Sequence, residues 1–261
     1  MRYQKLLASL SLGGFVLGLA IALTGAFGTR LGFWNYALGV KILEPGVGVG
    51  TLALIAGATW ITRALWHNES EGWRIGMAGL VGSALLVGVP ADYLWLSYSL
   101  PAIHDISTDI GDAPKFDTLL GWRKGAPNPA TYDGPIVVTY QGARITTSVA
   151  QKYAYMDIKT QPFMTRSLPQ KTYFRKLFWR SLNAVNALDW QVASFDLKSG
   201  RIEATDTSFW FGTVSDIVIR VRPAGAFGVL IDVRAKSRVG TADMGRNAEL
   251  VRDLLAKVKG A

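Results

Sequence analysis

Three long apolar segments occupy the first hundred residues of the chain, and a mixed polar sequence of about 160 residues follows them with none. A bilayer's hydrocarbon core is roughly 30 Å thick and a helix rises about 1.5 Å per residue, so one span needs about 20 apolar residues. Leu6 to Ala26, Val47 to Trp66 and Ile75 to Tyr98 each meet that length. Polar punctuation separates them: Thr29 to Pro45 carries Arg30, Lys41 and Glu44, and His67 to Arg74 carries Glu69, Ser70 and Glu71. The division predicts a transmembrane region over residues 1–100 and a soluble α+β domain over 101–261.

Arg2 and Lys5 precede the first segment as they would in a secretory signal. Its apolar run is longer than a typical signal core, and Leu23-Thr24-Gly25-Ala26-Phe27 offers no small-x-small cleavage site, so it reads as an uncleaved anchor. With the amino terminus inside, Arg2, Lys5, Arg63 and Arg74 face the cytoplasm while Arg30 and Lys41 face out, four against two. Three spans then carry the carboxy-terminal domain across the membrane. In a bacterium this places it in the periplasm, anchored in the inner membrane. The chain has no cysteine, which is compatible with that compartment without requiring it.

Small residues recur four apart in the spans: Gly14 with Gly18, Gly46 with Gly50, and Gly79 with Ser83. Such spacing lets helix backbones approach closely, and helices in lipid lack a hydrophobic drive to associate. The three helices are expected to pack on one another, with a partner membrane protein as the alternative occupant of Gly14, Gly18, Gly46 and Gly50. Asp92 is the acidic residue inside a span, followed by Tyr93, Trp95 and Tyr98. It reads as an interfacial aspartate below an aromatic belt, or else as a contact to a partner.

After Pro101 the chain holds 22 Lys and Arg against 15 Asp and Glu. A domain this basic suits anionic partners, with the membrane surface nearest; periplasmic placement argues against nucleic acid. From Leu100 to Gln151 prolines interrupt the sequence and only Pro135 to Tyr140 resembles a strand. The apolar residues Ile103, Ile106, Ile110, Phe116, Leu119 and Trp122 indicate a segment wrapped on the domain surface. Gln170 to Leu188 places Phe174, Leu177, Phe178, Ser181, Leu182 and Val185 on one helical face. Strand-like runs follow at Trp190 to Leu197, Arg201 to Thr207, Asp216 to Arg222 and Phe227 to Val239, with hairpin signals at Lys198-Ser199-Gly200 and Pro223-Ala224-Gly225. Asp243 stands where an amino cap is wanted, before Ala248, Leu250, Val251, Leu254, Leu255 and Val258. The order predicts an antiparallel sheet of four or five strands with two helices on one face.

Side chains two apart along a strand share a face. Arg220 and Arg222 therefore oppose Ile217, Ile219 and Val221, while Arg234, Lys236 and Arg238 oppose Ile231, Val233 and Ala235. If the two strands pair regularly, five cations occupy one side of the sheet. That side is either a solvated face balanced by Glu203, Asp206 and Asp232, or a face whose guanidinium forks bind an anion or a partner. A bulge near Gly225 or Gly228 would turn some of the cations away.

Catalysis has weak support. There is no cysteine nucleophile, and the imidazoles are His67, in a short membrane loop, and His104. His104 and Asp105 with Ser107, Thr108 and Asp109 could form an acid/base cluster, though such residues are also what turns and caps use. No spacing typical of zinc ligands is present, and no phosphate-cradling loop, nucleophile elbow or dinucleotide fingerprint appears in context, so no metal or cofactor is expected.

Five blocks, Pro101 to Asp109, Tyr155 to Ile158, Arg201 to Thr205, Ser215 to Val221 and Asp232 to Gly240 with Asp243 to Ala248, together resemble domain-of-unknown-function family 1499. Met156, Ser215 and Lys236 depart from its pattern, which has proline, aspartate and a small residue there. The resemblance implies a single domain, often attached to membrane spans in bacteria, and implies little about activity. The expected function is a membrane-anchored, periplasm-facing accessory or scaffolding protein that contacts membrane lipid and another membrane or envelope protein. Binding of lipid or an anionic small molecule is the first alternative, and hydrolysis through His104 and neighbouring carboxylates the second.

Overall fold

A computed structural model describes residues 2–68, 71–164 and 168–260. Glu69 and Ser70, assigned above to the second connection, lie outside them. The chain folds as two compact units, Met1–Leu96 with Phe209–Gly212, and Ser97–Ser208 with Thr213–Ala261.

The first unit is built from α1 (Arg2–Arg30), α2 (Tyr36–His67) and α3 (Trp73–Ser99). All three are long and apolar enough to cross a membrane. Asn35 starts α2 by accepting the Leu38 amide, and Asn68 ends it in the left-handed region. The glycines decide how the helices meet. A Cβ on Gly18 would stand 2.7 Å from the Gly46 carbonyl oxygen, one on Gly14 2.8 Å from the Ala53 Cβ, and one on Gly50 2.8 Å from Leu86. Gly14, Gly18, Gly46 and Gly50 thus lie between the chain's own helices, where only hydrogen leaves room for the neighbouring backbone. Asp92 sits on the exposed side of α3, about two turns from its end.

The second unit continues with β1 (Asp105–Ser107), α4 (Leu119–Trp122), β2 (Val137–Tyr140), β3 (Ala143–Thr146), α5 (Thr147–Ala154), β4 (Gln161–Met164), α6 (Gln170–Ala187), β5 (Gln191–Asp196), β6 (Arg201–Thr207), β7 (Val214–Ala224), β8 (Gly228–Ser237) and α7 (Arg246–Gly260). The antiparallel sheet has the order β1-β8-β7-β6-β5, and β4 joins the same edge of β8 as β1; β2 and β3 form a separate hairpin. The expected four runs are present. Two short strands extend them, β1 from the irregular region and β4 from the stretch that follows it, because an edge strand of three or four residues is too short to show alternation.

One face of the sheet carries the apolar core. Ile202, Ala204, Ile217, Ile219, Val221, Val229, Ile231, Val233 and Ala235 pack against Leu177, Phe178 and Val185 of α6 and Val251, Leu254 and Val258 of α7. Asp243 caps the start of the last helix: its carboxylate accepts the amides of Gly245 and Asn247 at 2.8 and 3.2 Å. The other face is not left to solvent. The stretch between β1 and β2 crosses it as a strap, placing Phe116 and Leu119 over Val218.

Candidate functional site

Pairing between β7 and β8 is regular from Ser215 opposite Ser237 to Ala224 opposite Gly228, with no bulge near Gly225 or Gly228; the register shift falls in β5, between Val192 and Ser194. Asp216 lies opposite Lys236, Val218 opposite Arg234, and Arg220 opposite Asp232. Arg220, Arg222, Arg234, Lys236 and Arg238 therefore share one side, as the alternation requires. That side is neither solvated nor empty: Arg234 and Lys236 are 1% and 0% exposed. Charges with so little water need partners, and the strap supplies them.

At the centre, Arg234 grips Asp105 bidentately, Nε to Oδ1 and Nη2 to Oδ2, each 2.8 Å. Nη1 donates to the Pro114 carbonyl, and Nη2 is shared with the carbonyls of Ala130 and Thr131. The guanidinium plane lies near the rings of Phe116 and Tyr132, 4.8 and 5.3 Å from their centroids, which favours arginine over lysine here. Lys236 Nζ stands 2.8 Å from Asp133 and 3.4 Å from Asp105, and donates to the Thr131 carbonyl at 2.7 Å. Toward one end of the strands, Asp216 receives both Arg123 from the strap and Arg238 from beyond β8. Toward the other, Asp232 receives Arg220 and Arg222, which also reach Asp109, and Arg220 reaches Asp112.

Glu203 of β6 holds the strap by a different means. Its carboxylate accepts the amides of Asp117 and Leu119 at 2.7 and 2.8 Å. Burial outweighs those two bonds and holds its pKa above the ordinary glutamate value. At Asp232 the balance reverses: burial opposes ionisation, but hydrogen bonds from Arg222, Thr160 and Arg220 keep the carboxyl below the usual range.

His104 does meet a carboxylate. Its Nε2 is 3.0 Å from Asp133 Oδ2, and its Nδ1 is 3.2 Å from the Thr241 carbonyl. Both ring nitrogens face acceptors, an arrangement satisfied by the doubly protonated ring. Burial works against that charge, yet Asp133 and Thr241 raise the pKa above the ordinary histidine value, while Asp133 is itself held low by His104 and Lys236 against its burial. The neighbours proposed as a cluster do other work. Asp105 belongs to Arg234, Asp109 to Arg220 and Arg222, Ser107 Oγ donates to the Asp109 carbonyl, and Thr108 Oγ1 accepts the Val233 amide. This geometry cross-links 104, 133 and 241 rather than presenting a base to a nucleophile.

The partners that sequence reasoning missed are Asp105, Asp109, Asp112, Asp133 and Arg123, all on the irregular segment. Composition carried a signal: residues 101–133 hold five Asp against three Lys and Arg, an acidic stretch inside a basic domain. Above the network, Lys115, Arg201 and Arg220 line a cavity of about 240 Å³ floored by Val218, with Asp112, Ala113 and Pro114 on its strap side.

Residues 105–258 match a family described as protein of unknown function (DUF1499). The chain belongs to the DUF1499 family. The matched region begins at Asp105, the first carboxylate of the network, and ends at Val258, in the helix that closes the core. All five cations and their carboxylates thus fall inside the DUF1499 domain, while His104 lies one residue before it. No curated protein matches the chain.

Proposed function

We propose that this DUF1499 protein is a membrane-anchored accessory or scaffolding subunit of a membrane or envelope complex, with its carboxy-terminal domain on the periplasmic side of a bacterial inner membrane. The observation that carries the reading is an exposed aromatic pair beside an open strand edge. Trp179 on α6 and Phe195 on β5 meet edge to face at 6.1 Å, both exposed, and β5 is an outer strand of the sheet. Exposed aromatic surface next to unpaired strand backbone is what a protein partner covers. The internal pairing of the strap supports the same role, because it holds the domain as a rigid mount. Purification in mild detergent with mass spectrometry of co-purifying proteins tests it. A partner that is lost on Trp179→Ser, with the melting temperature unchanged, supports the reading; an unaltered set of companions overturns it.

The cavity at Lys115, Arg201 and Arg220 favours a second reading, the binding of an anionic small molecule or lipid headgroup. Arg220 is held by Asp232 and Asp112, and Arg201 by Asp117, so the cavity presents guanidiniums fixed by their carboxylates, with Lys115 beside them and Val218 in the lining. Calorimetric titration with glycerol phosphate, repeated on Lys115→Gln, checks it. Heat that is absent, or the same in both proteins, removes this reading.

A further inference from the structure

The β6–β7 connection reads Ser208-Phe209-Trp210-Phe211-Gly212-Thr213, three consecutive aromatic residues at a hairpin tip. Its base is closed by hydrogen bonds between Ser208 and Thr213: amide to carbonyl at 2.9 Å, hydroxyl to hydroxyl at 2.7 Å and the Thr213 amide to Ser208 Oγ at 3.0 Å. A short polar link would suffice for such a turn, so the aromatic residues are not explained by hairpin closure.

Residues 209–212 belong to the first unit, with the apolar helices. Phe27 meets Phe209 and Trp210 edge to face at 6.2 and 6.1 Å, and Tyr36 meets Phe211 at 5.5 Å. Arg30 donates from Nη1 to the Phe209 carbonyl at 2.7 Å and lies 5.7 Å from that ring's centroid. Gly212, at φ +63°, comes so near Arg30 that an added Cβ would stand 3.1 Å from its Cα. Phe27 and Arg30 lie in the last turn of α1 and Tyr36 begins α2, so the tip is level with the ends of two candidate spans. Aromatic rings and a terminal arginine are the residues that concentrate where hydrocarbon gives way to headgroups.

The contacts leave much of the tip uncovered. Phe209 is 65% and Trp210 53% exposed, and at the same level Leu31 and Phe33 are 68% and 74% exposed. That surface continues the exposed apolar sides of helices for which lipid is the natural surrounding. We propose that the Phe209-Trp210-Phe211 tip is a membrane-interface insertion element, its rings embedded at the boundary between acyl chains and headgroups. The element is remote in sequence from the third span. Insertion of the tip is independent of the partner and anion readings above and can fail without them.

The absence of cysteine makes a single reporter straightforward. The full chain carrying Trp210→Cys, labelled with an environment-sensitive fluorophore, is reconstituted in vesicles of phosphatidylcholine and phosphatidylglycerol; Lys198→Cys, at the exposed β5–β6 turn, is the control. The Trp210 site should emit to the blue of the control and lose most of its intensity when the phosphatidylcholine is brominated early in its acyl chains, while the control is unchanged. Emission at Trp210 that ignores brominated lipid overturns the proposal. If it is also blue-shifted, a protein surface or a second copy covers the tip; if not, water does. Phe209→Cys, read by the same criteria, keeps the test decisive if the first variant fails to fold.

Discussion

Arg234 of β8 reaches diagonally to Asp105 of β1, whose register partner is Lys236, and makes two 2.8 Å hydrogen bonds to it, both side chains about 1% exposed. The carboxylate belongs to β1, from which the strap departs, and the guanidinium to β8, which the strap covers. The pair therefore fixes where the strap starts. Its worth lies in specificity: two apolar residues could fill the same volume, but they would not select this crossing.

Removing one partner leaves the other charged and dry. Asp105→Asn is expected to destabilise the domain by about 3–5 kcal/mol, since Arg234 and Lys236 both lose a carboxylate. Chemical denaturation of the chain in detergent, followed by near-ultraviolet circular dichroism, reads the change. A loss under about 1 kcal/mol, the range of surface pairs, would show that the strap is held by its carbonyl bonds instead.

Two groups in one corner give opposite ends of a pH profile. Burial pushes the Asp243 carboxyl up to about 6, against the two amides it accepts. A raised acid favours the folded state while protonated, so this stabilisation is complete below pH about 4 and is lost as pH rises through about 6. His104 is also raised, so its contribution is present below about 6.5 and is lost as pH climbs through its higher folded value. The melting temperature should fall in two stages on alkalinisation. Asp243→Asn, which preserves a capping oxygen, should flatten the lower stage, and His104→Asn the upper one; a profile that neither variant alters would contradict the assignment.

What could be read in advance follows physical range. The helix over Gln170–Ala187 was legible because Leu177, Phe178, Ser181, Leu182 and Val185 repeat at helical spacing and all become buried. The faces of β7 and β8 were legible from strict alternation. The same alternation misled about water: a cation at every second position normally marks a solvated face, and nothing local reveals that Asp105 lies 129 residues from Arg234, or Asp133 103 from Lys236. A strap without periodicity carries its information in pairing, and pairing at that distance leaves only a compositional trace, the acidic excess of residues 101–133.

Within the apolar unit, Gly18 and Gly48 make a controlled comparison. A Cβ on Gly18 meets the Gly46 carbonyl at 2.7 Å, whereas nothing lies within 4 Å of one on Gly48. Gly18→Leu should lower stability in detergent by about 1–3 kcal/mol, the usual range for overpacking, because α1 and α2 must separate. Gly48→Leu should be nearly neutral or favourable, since the new side chain faces lipid and glycine is a poor helix former. Thermal denaturation monitored by size-exclusion chromatography separates them. Equal behaviour would mean that α1 and α2 do not cross at Gly18.

The proposed orientation rests on six charges at the helix ends. Arg2 and Lys5 stand in the first turns of α1, Arg63 near the end of α2 and Arg74 at the start of α3, while Arg30 ends α1 and Lys41 lies in the second turn of α2. A reporter fused to the carboxy terminus should be active only in the form that functions outside the cytoplasm. The bias is small enough to test by subtraction. Arg63→Asn with Arg74→Asn removes two of the four inner charges and leaves two against two, so the molecules should insert in both orientations and the reporter signal should divide between compartments. If the double variant keeps the parental distribution, the first helix alone sets the orientation. If the parent itself reports from the cytoplasm, the domain faces inward, and the envelope partner proposed above must be replaced by a cytoplasmic one.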